Sequence, residues 1–312
     1  MRLHIWALAA LAGLGAAAGA ARAQADPKTV VATVNGQTIT LGEVDTAMKA
    51  HGPLPVEISV ETRKRWQYTV LCGLIDARLW EEYLQKNGRK IDKAEVDRRM
   101  TELAEAVKKA GTTMEAYYKE RGLTEPTVRD SIVTMLQWDA IAQAKISDAD
   151  VKRYYDENKD FFDEVLVHAS HIVLKLAKDA PAAEKQAARD KLLAIRANLV
   201  AGTIDFAKAA KLYSQDQTAQ EGGDLGTFPR KMVMAESIAK VAFSLPVNGV
   251  SDVVESEYGL HLIKVLERKG GEKPSEFEKI KEAVRDYCSA EMQLAVMQQL
   301  RQAAKIEINL PK

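Results

Sequence analysis
Cysteine is scarce in this chain: 312 residues carry two, Cys72 and Cys288. So few exclude a disulfide-stapled scaffold and every zinc pattern that needs CxxC pairs. Both fall on apolar stripes of predicted helices, where buried free thiols are common, so a bond between them is not expected. Net charge is missing too. Lys plus Arg number 44 and Asp plus Glu 44; without an excess of cations there is no field to gather phosphates, and nucleic acid is not an expected partner. Neither Gly-x-Ser-x-Gly, His-Glu-x-x-His nor a paired His/Cys spacing occurs, which sets aside the common hydrolase and protease designs. Beyond the first two dozen residues nothing is apolar enough to span a bilayer. What is present, 46% apolar and 28% charged residues, is the composition of an ordinary globular protein long enough for about two domains.

The N-terminus reads as a processing segment. Arg2 supplies a short positive region, and Ile5 to Ala21 is an uncharged Ala- and Gly-rich run. Small residues at Ala21-Arg22-Ala23 or Ala23-Gln24-Ala25 then offer a cleavage site, so residues 1–25 are expected to be a secretory signal peptide. Removal of Arg2 and Arg22 leaves a slightly acidic product. It is expected to be exported, periplasmic or otherwise extracytoplasmic, with no stable membrane insertion after cleavage.

Three regions follow. Val30 to Val34 and Gln37 to Thr40 flank Asn35-Gly36, the dipeptide of a type I′ hairpin turn. Thr40-Leu-Gly-Glu43 fits a capping box, and Asp92-Lys-Ala-Glu95 a related helix start. Helices are predicted over 59–87, 92–109, 113–120, 125–145 and 148–159, giving a helical lobe over residues 26–160. From 161 to 269 the texture changes to a β-α-α-β-α-β-β order. Val165 to Leu174 is strand-like, helices are predicted over 182–200, 205–213 and 235–244, and strands over 251–255 and 260–267. Residues 222–226 are read as a turn. Residues 270–312 form a linker, a long helix to about Ala304, and a short strand in which Ile306, Ile308 and Leu310 alternate with polar residues. An isolated two-stranded ribbon is marginal in water, so this strand is expected to complete the N-terminal hairpin.

Four motifs in the middle region carry a resemblance: His168-Ala-Ser-His171-Ile-Val-Leu-Lys175, Tyr213-Ser-Gln-Asp216, Gly222-Gly-Asp-Leu-Gly-Thr-Phe228 and Tyr258-Gly-Leu-His261-Leu-Ile-Lys-Val265. In order and spacing they resemble a parvulin-type peptidyl-prolyl cis–trans isomerase. The whole chain is similar to the exported SurA/PrsA class of foldases and chaperones, whose lobe starts and closes resemble residues 31–43 and 304–308. The implied fold class is α+β: a parvulin-like four-stranded sheet with helices, inserted into a mainly helical chaperone lobe built from both chain ends. Expected partners are unfolded or partly folded exported polypeptides containing proline. Whether two copies pair as a homodimer is left open.

The resemblance implies His171, Asp216 and His261 as the catalytic set and a proline seat of Leu225, Phe228, Met234, Ile238 and Phe243. Ile238 stands where parvulins usually carry phenylalanine, and the loop after Phe228 is one residue longer than usual, so Met232 rivals Met234. Rotation about an Xaa-Pro bond breaks no covalent bond; it must overcome a barrier of about 18–20 kcal/mol set by amide resonance. The chemistry therefore asks for an apolar seat, donors placed for the rotated amide and exclusion of water, and neither a metal nor a cofactor is expected. An aspartate beside two histidines would stabilise an imidazolium and make activity pH-sensitive near neutrality. His168 lies an odd number of residues from His171, hence on the opposite sheet face, and is read as structural. Lys175 is not followed by an arginine pair in its loop, so phosphate reading is not expected. The helical lobe, with Trp66, Trp80 and Trp138 at core positions, would hold unfolded chains. A second reading keeps only that holdase role, with the parvulin-like domain weakly active or inactive.

Overall fold
The computed structural model describes residues 26–50 and 59–310. The expected signal segment and the loop at His51 lie outside the described residues. Two compact units are found, one within Met1–Ser147 and Arg285–Lys312, the other Asp148–Val284.

The first unit opens on strands β1 (Val30–Val34) and β2 (Gln37–Thr40). Asn35 and Gly36 both take positive φ, 49° and 87°, as the I′ turn requires. Helix α1 (Leu41–Ala50) starts in the predicted capping box: Glu43 N–H donates to Thr40 Oγ1 at 3.3 Å and Thr40 N–H to Glu43 Oε2 at 2.8 Å. Helices α2 (Val60–Asn87), α3 (Lys93–Lys109), α4 (Met114–Arg121) and α5 (Glu125–Lys145) follow. The helix start expected at Asp92 is present, without the full capping box. Asp92 stands at the N-cap but its side chain makes no cap bond, while the Glu95 carboxylate pairs with Arg89 at 2.5 and 2.9 Å. One core joins Val31, Val34 and Ile39 to Leu71, Ile75 and Leu79 of α2; a second joins α3, α4 and α5 through Leu103, Tyr117 and Ile132. Trp80 and Trp138 are buried, as their positions predict.

The second unit begins with α6 (Asp148–Glu157) and α7 (Lys159–Phe162) and continues through β3 (Leu166–Lys175), α8 (Ala182–Val200), α9 (Phe206–Tyr213), β4 (Asp224–Pro229), α10 (Glu236–Ser244), β5 (Val254–Ser256) and β6 (Gly259–Lys269). Its sheet is antiparallel in the order β4-β3-β6-β5. Alternation along β3 sends Val167 and Ala169 to one face, under α10, and Ile172 and Leu174 to the other, under α8 and α9. The predicted turn at 222–226 is strand from Asp224 onward, since Gly226, at φ 69°, sits where the pairing with β3 shifts register and lets the chain rejoin the sheet. This unit is wider than the 161–269 segment read from the sequence. Tyr155 packs on Phe162 and Phe277 and donates to the Ser275 carbonyl, and Asp163 accepts from Ser275, so both flanks fold with the sheet.

Helix α11 (Phe277–Ala303) leads to β7 (Ile306–Ile308), which pairs antiparallel with β1, Ala32 opposite Ile308 and Val34 opposite Ile306. The predicted completion of the hairpin sheet is thus present, in the order β2-β1-β7. Cys72 and Cys288 are free thiols.

Candidate active site
β3 and β6 run antiparallel with His171 opposite Ile263 and Val173 opposite His261. The two histidines are therefore diagonal neighbours on one face of the sheet, the face that also carries Ala169, Ile263 and Val265. Their Nδ1 atoms are 3.4 Å apart and their rings 5.5 Å between centroids, tilted by 30°. Asp216 comes to them from the chain after α9. It caps a 3₁₀ turn, Gln217–Glu221, and its Oδ2 accepts from the Thr218 amide at 3.3 Å and the Thr218 hydroxyl at 2.9 Å. The same oxygen lies 3.4 Å from His171 Nε2. At the far end Ser256 Oγ is 2.7 Å from His261 Nε2 and accepts from the Tyr258 amide at 3.0 Å.

One proton arrangement satisfies the whole row. An ionised carboxylate only accepts, so His171 Nε2–H donates to Asp216 and His171 Nδ1 must accept. His261 Nδ1–H then donates to it, and His261 Nε2 accepts the Ser256 hydroxyl. The row is a polarised relay anchored by a backbone amide at one end and a carboxylate at the other. Its charge state follows from burial. His261, 2% exposed, is pushed down to about 4, by desolvation first and by the adjacent His171 second. Desolvation also lowers His171, against the pull of Asp216. Burial works against the Asp216 carboxylate, but the Thr218 and His171 bonds outweigh it and hold its pKa below the usual range. At neutral pH both imidazoles are uncharged. Desolvation thus opposes the imidazolium that the aspartate was expected to stabilise, most strongly at His261.

The histidines open into a cleft of ≈ 420 Å³ whose walls include Val173, Lys175, Gln217, Leu225, Met234, Ala235, Ile238 and Tyr258. Of the five residues expected to seat proline, Leu225, Met234 and Ile238 line this cleft. Phe228 and Phe243 do not; they are 1% and 7% exposed and pack on each other in the core with Ile238. Phe228 stands on β4 and Phe243 on α10; the resemblance that named them gives their places in the chain and not whether a side chain reaches the lip of the cleft or its floor. Met232, the rival to Met234, points away at 85% exposure. His168 is on the opposite face, bonded through Nε2 to Asp224 at 2.7 Å, as its parity predicts. Sequence reasoning missed Thr218 and Ser256. The Asp-x-Thr spacing at the start of a helical turn could have found the first, and the tight Ser256-to-Gly259 turn, which faces Ser256 toward His261, the second.

The PPIC-type PPIase domain, a rotamase, matches residues 171–267. Over 243 residues the chain is 30% identical to the foldase protein PrsA of Bacillus subtilis (strain 168), covering 78% of this chain and 70% of that protein. The chain belongs to the PrsA foldase family. The PrsA of Geobacillus sp. (strain WCH70) is 34% identical over 236 residues, 74% of this chain and 72% of that one. Chaperone SurA of Polaromonas sp. (strain JS666 / ATCC BAA-500) is 43% identical over 102 residues, a third of this chain. As a member of the PrsA family the chain is a foldase with chaperone character, and its PPIC-type domain is that of a peptidyl-prolyl isomerase. Among the described residues no helix is long and apolar enough to cross a membrane.

Proposed function
We propose that this foldase accelerates cis–trans isomerisation of Xaa-Pro bonds in unfolded or partly folded exported polypeptides, with the work divided between a seat and a relay. The proline ring rests on Leu225, Met234 and Ile238. His171 and His261 face the rotating amide as uncharged imidazoles, oriented by the ionised Asp216 carboxylate and screened from bulk water. Rotation needs the amide to lose its planar, charge-separated form, and exclusion of water by apolar walls favours that loss. No covalent intermediate is involved. The observation that carries this reading is the close approach of two buried imidazoles, Nδ1 to Nδ1, at the base of an apolar-walled cleft. Helical segments outside residues 161–269 form the lobe that holds clients, and the N-terminal segment 1–25 directs the chain out of the cytoplasm.

The test is proline-limited refolding of a denatured client in the presence of the full chain. Uncatalysed isomerisation takes tens to hundreds of seconds at 25 °C. Catalytic amounts are expected to shorten the slow phase, and His261→Ala to remove at least about nine-tenths of the effect. A second reading, a holdase whose isomerase domain is weakly active, is favoured by Ile238, an aliphatic side chain where parvulins usually carry a ring. An unshortened slow phase together with suppressed aggregation would leave the holdase reading alone.

A further inference from the structure
One wall of the cleft is neither strand nor helix. Met234 and Ala235 belong to the stretch from Arg230 that joins β4 to α10. Its tip is exposed, Met232 at 85% and Val233 at 60%. Met232 stands at φ 73°, a left-handed conformation that residues other than glycine seldom adopt, so surrounding structure must hold the backbone there. Two ties lie beside it. Arg230 makes a bidentate pair with Glu236 at 2.6 and 2.9 Å, closing the base of the loop on the first turn of α10. Lys231 reaches out of the sheet altogether: its Nζ donates to the Tyr154 hydroxyl at 3.0 Å and lies 4.7 Å from the centre of the Tyr154 ring. Tyr154 is itself fixed. It is buried on α6, meets Phe162 edge-on at 6.2 Å, and its carbonyl accepts from the buried Asn158 side chain at 2.8 Å.

We propose that Lys231 is a positioning residue of the isomerase: latched onto Tyr154, it holds the seat loop in its binding conformation and makes helix α6 part of the proline site. This inference rests on reading the cleft as the seat of proline. The ammonium acts twice on one partner, as donor to the hydroxyl and as a cation over the ring face. A neutral side chain of the same length keeps the packing of the stem and loses both. With the latch closed, a client meets Met234 and Ala235 already in place; with it open, those residues must be ordered during binding, which weakens affinity. The relay on β3 and β6 is untouched by either state, so the latch acts on KM and leaves kcat alone.

The full chain carries the test, as Lys231→Met, Lys231→Arg and Tyr154→Phe. Two readouts are taken: hydrogen exchange of the amides in 230–236, and kcat and KM on a short proline peptide. Lys231→Met is expected to speed exchange in that segment about fivefold or more and to raise KM about three- to tenfold with kcat within about twofold, the scale of one lost cation–π contact and charged hydrogen bond. Lys231→Arg keeps a cation over the ring and is expected to restore both values, which a packing role would not require. Tyr154→Phe keeps the ring, loses the hydroxyl that accepts from Lys231 and falls between; it also serves if Lys231→Met folds poorly, which exchange across the rest of the unit would reveal. Unchanged exchange in both Lys231→Met and Tyr154→Phe overturns the latch whatever the activity. Faster exchange with unchanged KM, or a fall confined to kcat, overturns its role at the seat. A wild-type chain without isomerase activity strikes the reading of the cleft instead, and the exchange arm alone then decides the latch.

Discussion
An imidazole that is 2% exposed, as His261 is, binds a proton less readily than one in water, because its charged form loses hydration and gains no carboxylate in direct contact. The unfolded chain protonates this residue near 6.5 and the folded one near 4. Between those values the unfolded state holds the extra proton, so stability is full above about 6.5 and falls as the pH drops toward 4. The loss from this residue alone is on the order of 3 kcal/mol. Chemical unfolding of the second unit at pH 7 and pH 4.5 should show it, and His261→Asn should reduce it. Activity is expected to stay flat through neutrality and to decline on the acid side as the relay protonates. The end of the relay is equally testable. Ser256→Ala removes the donor to His261 Nε2 and frees that nitrogen in a buried place, so kcat/KM on a proline peptide should fall about tenfold, the scale of one unsatisfied buried group. Full activity in that variant would show that the tautomer of His261 is set elsewhere.

At the scale of elements, the site depends on how closely β3 accepts its neighbours. Gly223 lies beside His171, whose amide donates to the Gly223 carbonyl at 2.8 Å. A Cβ on Gly223 would sit 2.1 Å from the His171 carbonyl oxygen, and its φ of 78° is unsuited to other residues. Gly223→Ala should therefore push the strand that carries His171 away from the chain leading into β4, costing about 2–4 kcal/mol of stability and most of the activity. Thermal melting and the refolding assay check the two parts. Much of this architecture was legible beforehand. The helix start at Thr40 rests on local capping chemistry, and strands β3 and β6 on motifs that fix which residues face one another. Phe228 and Phe243 came from a resemblance of motifs, which fixes positions along the chain and says nothing of depth; both lie in the core beneath the cleft. Ser256 and the Lys231–Tyr154 pair escaped because neither belongs to a periodic pattern. The partners in the pair are 77 residues apart, and only folding makes them neighbours.

For the molecule as a whole, holding clients and isomerising them are assigned to different parts of the chain, so they should separate by mutation. The double variant His171→Ala, His261→Ala is expected to lose acceleration of proline-limited refolding while still suppressing aggregation of a denatured client at equal molar ratio. Parallel loss of both in a folded variant would show that the cleft also does the holding. The pairing of β7 with β1 adds a constraint of another kind. Residues 306–308 complete a sheet begun at residues 30–40, and nearly the whole chain must exist before that ladder can close. A chain emerging from its N-terminus presents β1 with one edge unpaired, a template for wrong partners, until the last strand arrives. Asp148–Val284 has no such wait, since every strand of its sheet lies within one continuous stretch. During its own biogenesis this foldase thus completes its isomerase unit while the first sheet remains an open client-like edge, and for that interval it belongs to the class of chains it serves.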